Sequence, residues 1–544
     1  MLLRYEHFSI VSTDPFLLHQ LPAVAADRAP DALALTAAAH RCSYAQLTQA
    51  IDRCCGAWIE LGLERGERVA VFLDKRIDTV VACFAVTQAA GVLVPINPVL
   101  KAAQVVHILR DCNVRMLVTC TQRLAALAPA LAQCEALRHV VVVDADGQGP
   151  SELGAAQSLH DWAALKDATG CAGRRVIDED IAAIFYTSGS TGRPKGVVLS
   201  HRNLLAGAKS VAAYLNNTAD DVLIAALPLS FDAGFSQLTT AFHVGARVVL
   251  LNYLLPRDVL TAMVQERVTG ITAVPPLFGQ LAQLQWPASV NEHLRYFANT
   301  GGRLPLEVLS TLRRHFPKAA PYLMYGLTEA FRSTYLPPEE VDRRPDSMGK
   351  AIPNAEVMVL REDGTPCAPG EPGELVHRGA SVAMGYWNDP QATAERFRSL
   401  VGRDSGLLSP QMAVFSGDTV RMDDDGFLYF VGRRDEMIKT SGYRVSPTEV
   451  EEVVYGTGLV AECVALGAAH PVWGQAIVVV LTATGPGDVD LEALMNALRE
   501  QLPSFMLPAH VAVRSDALPR NPNGKIDRKA LAQEFESFFS VGER

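Results

Sequence analysis

Short apolar runs separated by amphipathic stretches fill the first 330 or so positions of the chain. "RVAVFL", "VLVPI", "RMLVT", "HVVVV", "AAIFYT", "VLIAALP", "RVVLL", "ITAVPP" and "YLMYG" read as strands. "AAQVVHILRDC" and "RDVLTAMVQERV" carry apolar residues at helical spacing. Strands that are apolar throughout are covered on both faces, and their alternation with helices predicts parallel sheets. Ligands on such sheets bind in loops beyond the strands' carboxyl ends. The uncharged run Thr79–Leu100 is long enough to suggest a membrane span, but its pattern changes at Gly91. It reads as a buried helix followed by a buried strand.

From about Ser347 to Val431 the texture changes. Turn-rich segments ("REDGTPCAPGEPGE", "DDDGF") separate short strands, which predicts a β-rich subdomain. A tail of about 100 residues follows, with strands "AIVVVLTA" and "HVAVRS" and two helical patterns. The expected fold class is therefore α/β. A large N-terminal domain of doubly wound sheets with a β-rich subdomain spans 1–432, and a small mobile α+β domain spans 433–544.

Composition narrows the functions. Of 544 residues, 49% are hydrophobic and 20% charged, as in a folded globular protein. A net charge of −10 argues against nucleic acid as a partner. The ten cysteines form no CxxC pair, so free thiols in a reducing compartment are expected rather than a metal site. Arg4, Glu6 and His7 interrupt the apolar core that an export signal needs. No membrane span and a cytoplasmic location follow as expectations.

The chemistry concentrates in "YTSGSTGRPKGV", Tyr186 to Val197. A Walker A loop needs GxxxxGK[ST], yet counting from Gly189 the sixth position is Pro194, so the pattern fails and argues against a P-loop NTPase. The residue types still suit phosphate. Gly189 and Gly192 expose backbone N–H groups, Thr187, Ser188, Ser190 and Thr191 add hydroxyls, and Lys195 adds a cation. A solvated loop with a helix cap is the plainer alternative.

"YTSGSTGRPKGV" resembles the signature loop of the adenylate-forming ligases: acyl-CoA synthetases, peptide-synthetase adenylation domains and luciferases. "MYGLTE", "SGDTVRMDDDGFLYFVGRRDEMIKTSGYRVSPTEVE" and "NPNGKIDRKAL" recur in the family's order, so the resemblance covers nearly the whole chain. "INPVLKAAQVVHILRDCNVR" and "LPLSFDAGFSQL" further resemble bacterial AMP-forming acyl-CoA ligases associated with exosortase A systems.

The resemblance implies a two-step reaction using ATP, Mg²⁺ and a thiol, that of CoA or of the phosphopantetheine of a carrier protein. A carboxylate attacks the α-phosphate of ATP, and the thiol then displaces AMP. Lys525 is implied as the first-step catalyst, although residue chemistry alone would read it as a solvated lysine beside Arg528 and Lys529. Glu329 would hold Mg²⁺, or favour a helix N-terminus, or both. Thr328 would bond the α-phosphate. Tyr325 would stack on adenine beside Gly326, and Gly301 and Gly302 would let the backbone approach it. Asp418 would accept from the ribose hydroxyls, with Arg433 on ribose or phosphate. Asp435, with Lys439 nearby, would serve as hinge. Gly442 would line the thiol tunnel.

The departure at "LPLSFDAGF" bears on the acid. Asp232 resembles the adenylation-domain aspartate that pairs with a substrate ammonium; alternatively it caps the helix starting near Ala233. Ser236, Ala273, Asn299, Met324, Arg332 and Ser333 complete the implied pocket, with Arg332 meeting a second carboxylate or hydroxyl, or lying at the surface. "SGYRVSPTEVE" looks more like an acyl-CoA synthetase. No carrier domain is expected beyond Arg544, so the expected partner is CoA or an acyl carrier protein in trans; the implied substrate is a small carboxylic or amino acid. A stand-alone aminoacyl–carrier ligase, a catalytically silent nucleotide-binding protein and a luciferase-type oxygenase are the alternatives.

Overall fold

The computed structural model describes residues 14–145, 153, 156–165, 167–187, 194–400, 412–433, 436–440, 443–471, 473–484, 489–522, 524–536 and 538–539. The chain forms two compact units. The first takes residues up to Tyr186, Val198–Asp221 and Phe235–Leu250; the second takes Thr187–Val197, Val222–Gly234 and Leu251–Arg544.

In the first unit, six parallel strands lie in the order Ile181–Thr187, Val92–Pro95, Arg68–Val71, Val114–Thr119, His139–Val142 and Ser158–Asp161. All four residues of Val92–Pro95 are buried, as two-sided cover demands. The uncharged run resolves into helix Ile77–Gln88, buried from Thr79 onward, and that strand. Among the described residues no helix is long and apolar enough to cross a membrane. All ten cysteines are free thiols, eight of them buried.

In the second unit a parallel half and an antiparallel half share one sheet. Val222–Ala225, Gly270–Ala273, Tyr296–Asn299 and Ala320–Tyr325 run parallel. Thr334–Leu336, Ser347–Ala351, Leu428–Arg433, Met412–Met422, Gly373–Gly379 and Ala355–Leu360 then continue the sheet antiparallel. These last strands realise the turn-rich texture of the sequence, and Met348, Val359, Leu375, Val420 and Leu428 form their core.

A separate sheet lies toward the C-terminus, built from Ile438–Thr440, Tyr443–Val445, Val460–His470, Gly474–Ala483 and His510–Arg514. Alternation with period two sorts its side chains. Cys463, Ala465, Ile477 and Val479 pack with Val450, Val454, Leu494 and Leu498. Val464, Leu466, Val478 and Val480 pack with Leu518, Leu531 and Phe535. Three helices cover this sheet, Pro447–Gly456, Leu491–Gln501 and Arg528–Phe535, where the sequence suggested two.

Candidate active site

The carboxyl ends of the four parallel strands of the second unit converge. Pro228 to Asp232 follows the first strand, Ala273 ends the second, Asn299 ends the third and leads to Gly301 and Gly302, and Tyr325 ends the fourth before Thr328 and Glu329. That is where ligands bind on such sheets.

Asp232 is 3% exposed and opens helix Asp232–Val244. Its Oδ1 accepts from Thr328 Oγ1 at 3.3 Å, and its Oδ2 lies 3.9 Å from Arg332 Nη1. The Arg332 side chain is equally buried, and Nη1 also reaches Thr300 Oγ1 at 3.2 Å. Burial pushes the Asp232 carboxyl above its ordinary value, while Arg332 and Lys525 pull it back. Arg332 is turned inward by the backbone. Phe331 adopts φ 52° and ψ −46°, and Arg332 N donates to Ala330 O at 2.6 Å. This is a γ-turn of the rare strained kind, held by a fully buried ring.

Lys525 reaches the same strand ends from the C-terminal segment. Its loop is closed by an antiparallel bridge between Arg520 and Ile526. Asn521 Oδ1 accepts from Lys525 N at 3.1 Å, and Arg520 Nη1 donates to Gly524 O at 3.0 Å. Gly524 turns the loop at φ +79°, a left-handed conformation suited to glycine. Arg520 is itself ion-paired to Glu462. The lysine is half-buried, and its Nζ lies 5.9 Å from the centre of the Phe231 ring. Gly301, at φ +76°, makes room: a methyl there would sit 3.1 Å from Lys525 Cε and 3.5 Å from Nζ. Burial and then Arg433 lower the Lys525 pKa below 10.5, against the pull of Asp232, Asp418 and Glu436.

Asp418 and Arg433 are cross-strand partners, and their side chains approach to 3.4 Å. Asp418 is 4% exposed and also receives the Tyr325 hydroxyl. Behind Tyr325, His377 stacks at 6.0 Å and 14°. Burial pushes His377 down to about 3, which leaves it neutral.

Glu329 Oε1 accepts from Tyr386 Oη at 2.6 Å. Burial, and then the Glu329 charge, raise the Tyr386 pKa, so the phenol stays a donor. The Tyr386 ring lies 5.3 Å from Lys195 Nζ, which is 3.3 Å from Asp389 Oδ2. Asp389 also caps helix Pro390–Arg396 through Ala392 N at 2.9 Å.

Lys525, Asp232, Thr328, Arg332 and Gly301 thus share one neighbourhood, with Asp418, Tyr325 and Arg433 in a linked cluster. Asn299, Met324, Ser333 and Ala273 are buried at the same strand ends. Gly302 O accepts from Asn299 Nδ2 at 2.7 Å, and a methyl on Gly326 would sit 3.2 Å from Arg332 Cα. Thr187 donates to Lys195 O at 3.5 Å. Ser236 falls in the first unit, buried, 3.5 Å from Thr240 Oγ1. Ser188, Gly189, Ser190, Thr191, Gly192, Asp435 and Gly442 lie outside the described residues. Sequence reasoning missed Tyr386, Asp389, Thr300 and Phe331. Only Asp389 carried a signal, as the cap in "NDPQAT".

Residues 23–387 match a family model described as AMP-binding enzyme, and residues 449–525 match the AMP-binding enzyme C-terminal domain. The chain belongs to the AMP-binding enzyme family. One relative, a feruloyl-CoA synthase from Amycolatopsis sp., is 30% identical over 94% of this chain and 98% of its own. Surfactin synthase subunit 2 from Bacillus subtilis is 30% identical over 94% of this chain, which corresponds to 14% of that much longer protein. Among solved structures, ATP-bound MatB from Rhodopseudomonas palustris shares 27% identity at a TM-score of 0.84, covering 96% of this chain and 99% of its own. This family member therefore matches a named CoA synthase over nearly its whole length and a stretch of a much longer synthase subunit.

Proposed function

We propose that this enzyme is an AMP-forming acid–thiol ligase. A carboxylate oxygen attacks the α-phosphorus of ATP, the bond to the pyrophosphate oxygen breaks, and an acyl-adenylate forms. The sulfur of a thiolate then attacks the acyl carbon, and AMP leaves with the former carboxylate oxygen. The observation that carries this reading is Lys525: a loop braced by Asn521 and Arg520 holds its ammonium over Gly301, at the strand ends that bear Thr328 and Asp232. Two anions must meet in the first step, and a preorganised cation offsets their repulsion.

Other roles follow from chemistry. Asp418, already accepting from Tyr325, suits the ribose hydroxyls, and the Tyr325 face suits adenine. Among the described residues no three metal-ligating side chains cluster. Glu329, oriented by Tyr386, would hold a Mg²⁺ ion. When bound, that ion would offset phosphate charge. Lys195 and the glycine–serine loop would hold the leaving pyrophosphate. The division expected from the sequence, 1–432 and 433–544, would let the second part first present Lys525 and then turn to admit the thiol arm.

The acid is small and polar in this reading, and an amino acid is favoured because buried Asp232 offers an acceptor for an ammonium. The thiol belongs to CoA or to a carrier protein supplied in trans, and the site of action is the cytoplasm. ATP–pyrophosphate exchange over a panel of carboxylic and amino acids, followed by intact-mass measurement with CoA and with phosphopantetheinylated carriers, tests the reading. Lys525→Ala is expected to abolish exchange while thioester formation from preformed adenylate is largely kept. Equal loss of both steps would refute the assignment.

A further inference from the structure

The wall at the strand ends holds more unmet polar capacity than a fatty acid could use. Arg332 Nε, Ser333 Oγ, Asn299 Oδ1 and Ser230 Oγ are all buried with no hydrogen-bond partner among the described residues. Arg332 is the most consequential, because its side chain is 3% exposed and its guanidinium is a rigid fork of N–H donors. Among the described residues its counterion is Asp232, held at 3.9 Å rather than in a bidentate pair. The remaining contact of Nη1 is the neutral Thr300 hydroxyl.

Charge balance then restricts the occupant. Without substrate, Asp232 and Arg332 neutralise each other, while Lys525 is reserved for the reacting carboxylate and the α-phosphate. An ammonium docked on Asp232 takes the counterion of Arg332 and leaves a surplus buried positive charge, which is costly. A second carboxylate without an ammonium leaves the opposite surplus. A neutral tail keeps the Asp232–Arg332 balance but gives Arg332 Nε no anionic acceptor; among charged occupants, one that carries both groups leaves every charge paired and supplies that acceptor.

Resting on the adenylation reading above, we infer that the acid activated here is an amino-dicarboxylic acid, with its ammonium on Asp232 and its second carboxylate on Arg332. Ser333 and Asn299 would complete the bonds to that end of the molecule.

The test is exchange by the full-length wild-type protein with aspartate, glutamate and longer aminodicarboxylates. Each is set against its amide, its deaminated dicarboxylic analogue, neutral amino acids and simple monocarboxylic acids. An aminodicarboxylate is expected to exceed its amide and its deaminated analogue by about tenfold or more in kcat/KM, as loss of a charged partner for a buried group implies. Arg332→Gln should erase the margin over the amide, and Arg332→Lys should restore part of it. Preference for amides, neutral amino acids or monocarboxylic acids overturns the inference while leaving the ligase reading intact. So does an unchanged margin in Arg332→Gln. Exchange with no acid at all overturns both. If the variants do not fold, the wild-type panel still decides.

Discussion

At the scale of single residues, the site works by setting charges against burial. Lys525 shows this in its titration. Burial and the Arg433 cation disfavour its charged form, so its pKa lies below 10.5. The proposed first step uses that cation, so the first half-reaction should fall as pH rises through that lowered value, giving a basic limb below 10.5. Removing a like charge favours the ammonium, so Arg433→Gln should move the limb upward, whatever it does to the rate. A pH profile of ATP–pyrophosphate exchange for both proteins checks the sign; a limb that stays put or moves down refutes it. Asp232 obeys the same logic in reverse. Its residue type was legible in the sequence, but its partners were not, because Arg332 reaches it through a γ-turn at Phe331 that no propensity announces. Asp232→Ala should deprive amino acids of their ammonium acceptor and strand Arg332. Exchange with amino acids should drop about 100-fold, the loss expected when a buried charged partner is removed, with simple acids spared; unchanged preference would leave Asp232 only a helix-start role.

At the scale of elements, strands such as Val92–Pro95 and Ile181–Thr187 were readable because two-sided burial makes them apolar throughout. Strand His40–Ser43 was not, because its exposed and polar residues resemble a loop. Tyr296–Asn299 was missed for another reason: although buried, its short run closes on polar Asn299 between Arg295 and Thr300, so nothing local marks it out. The same limit hides Tyr386, which ends a two-residue strand yet bonds Glu329 across 57 positions. That pairing makes Tyr386 a positioning residue. Tyr386→Phe keeps the ring near Lys195 and removes only the donor. The Mg²⁺ concentration for half-maximal exchange should rise about tenfold, the scale seen when a ligand's hydrogen-bond partner is lost. Saturating Mg²⁺ should recover most of the rate. A drop in maximal rate with unchanged Mg²⁺ dependence would mean that the tyrosine acts elsewhere.

At the scale of the whole molecule, the proposed mechanism has one chain perform two half-reactions with a single set of strand ends, and Lys525 beside Gly301 is the arrangement it assigns to the first. On that reading, whatever holds the C-terminal segment there would bias the enzyme toward adenylation. The contact best suited to that task is the ion pair of Arg303 with Glu452. Arg303 directly follows Gly301 and Gly302, and Glu452 lies on helix Pro447–Gly456, whose apolar face packs into the C-terminal core. The link thus joins the loop after a site strand to helix Pro447–Gly456. Burial raises the Glu452 pKa and Arg303 opposes it, as for a carboxylate that relies on one neighbour. Both side chains are partly exposed, 23% and 34%, so the pair contributes about 0.5–1 kcal/mol, or two- to fivefold in a population ratio. Arg303→Ala should therefore slow exchange by about that factor. Thiol-dependent consumption of preformed adenylate should be unchanged or faster, because leaving the first arrangement becomes easier. Raising the salt concentration should shrink the difference between wild type and variant, since an exposed ion pair is screened. Measuring the half-reactions separately at two ionic strengths separates this bias from a general loss of folding, which would depress both steps together and show no salt dependence of the ratio.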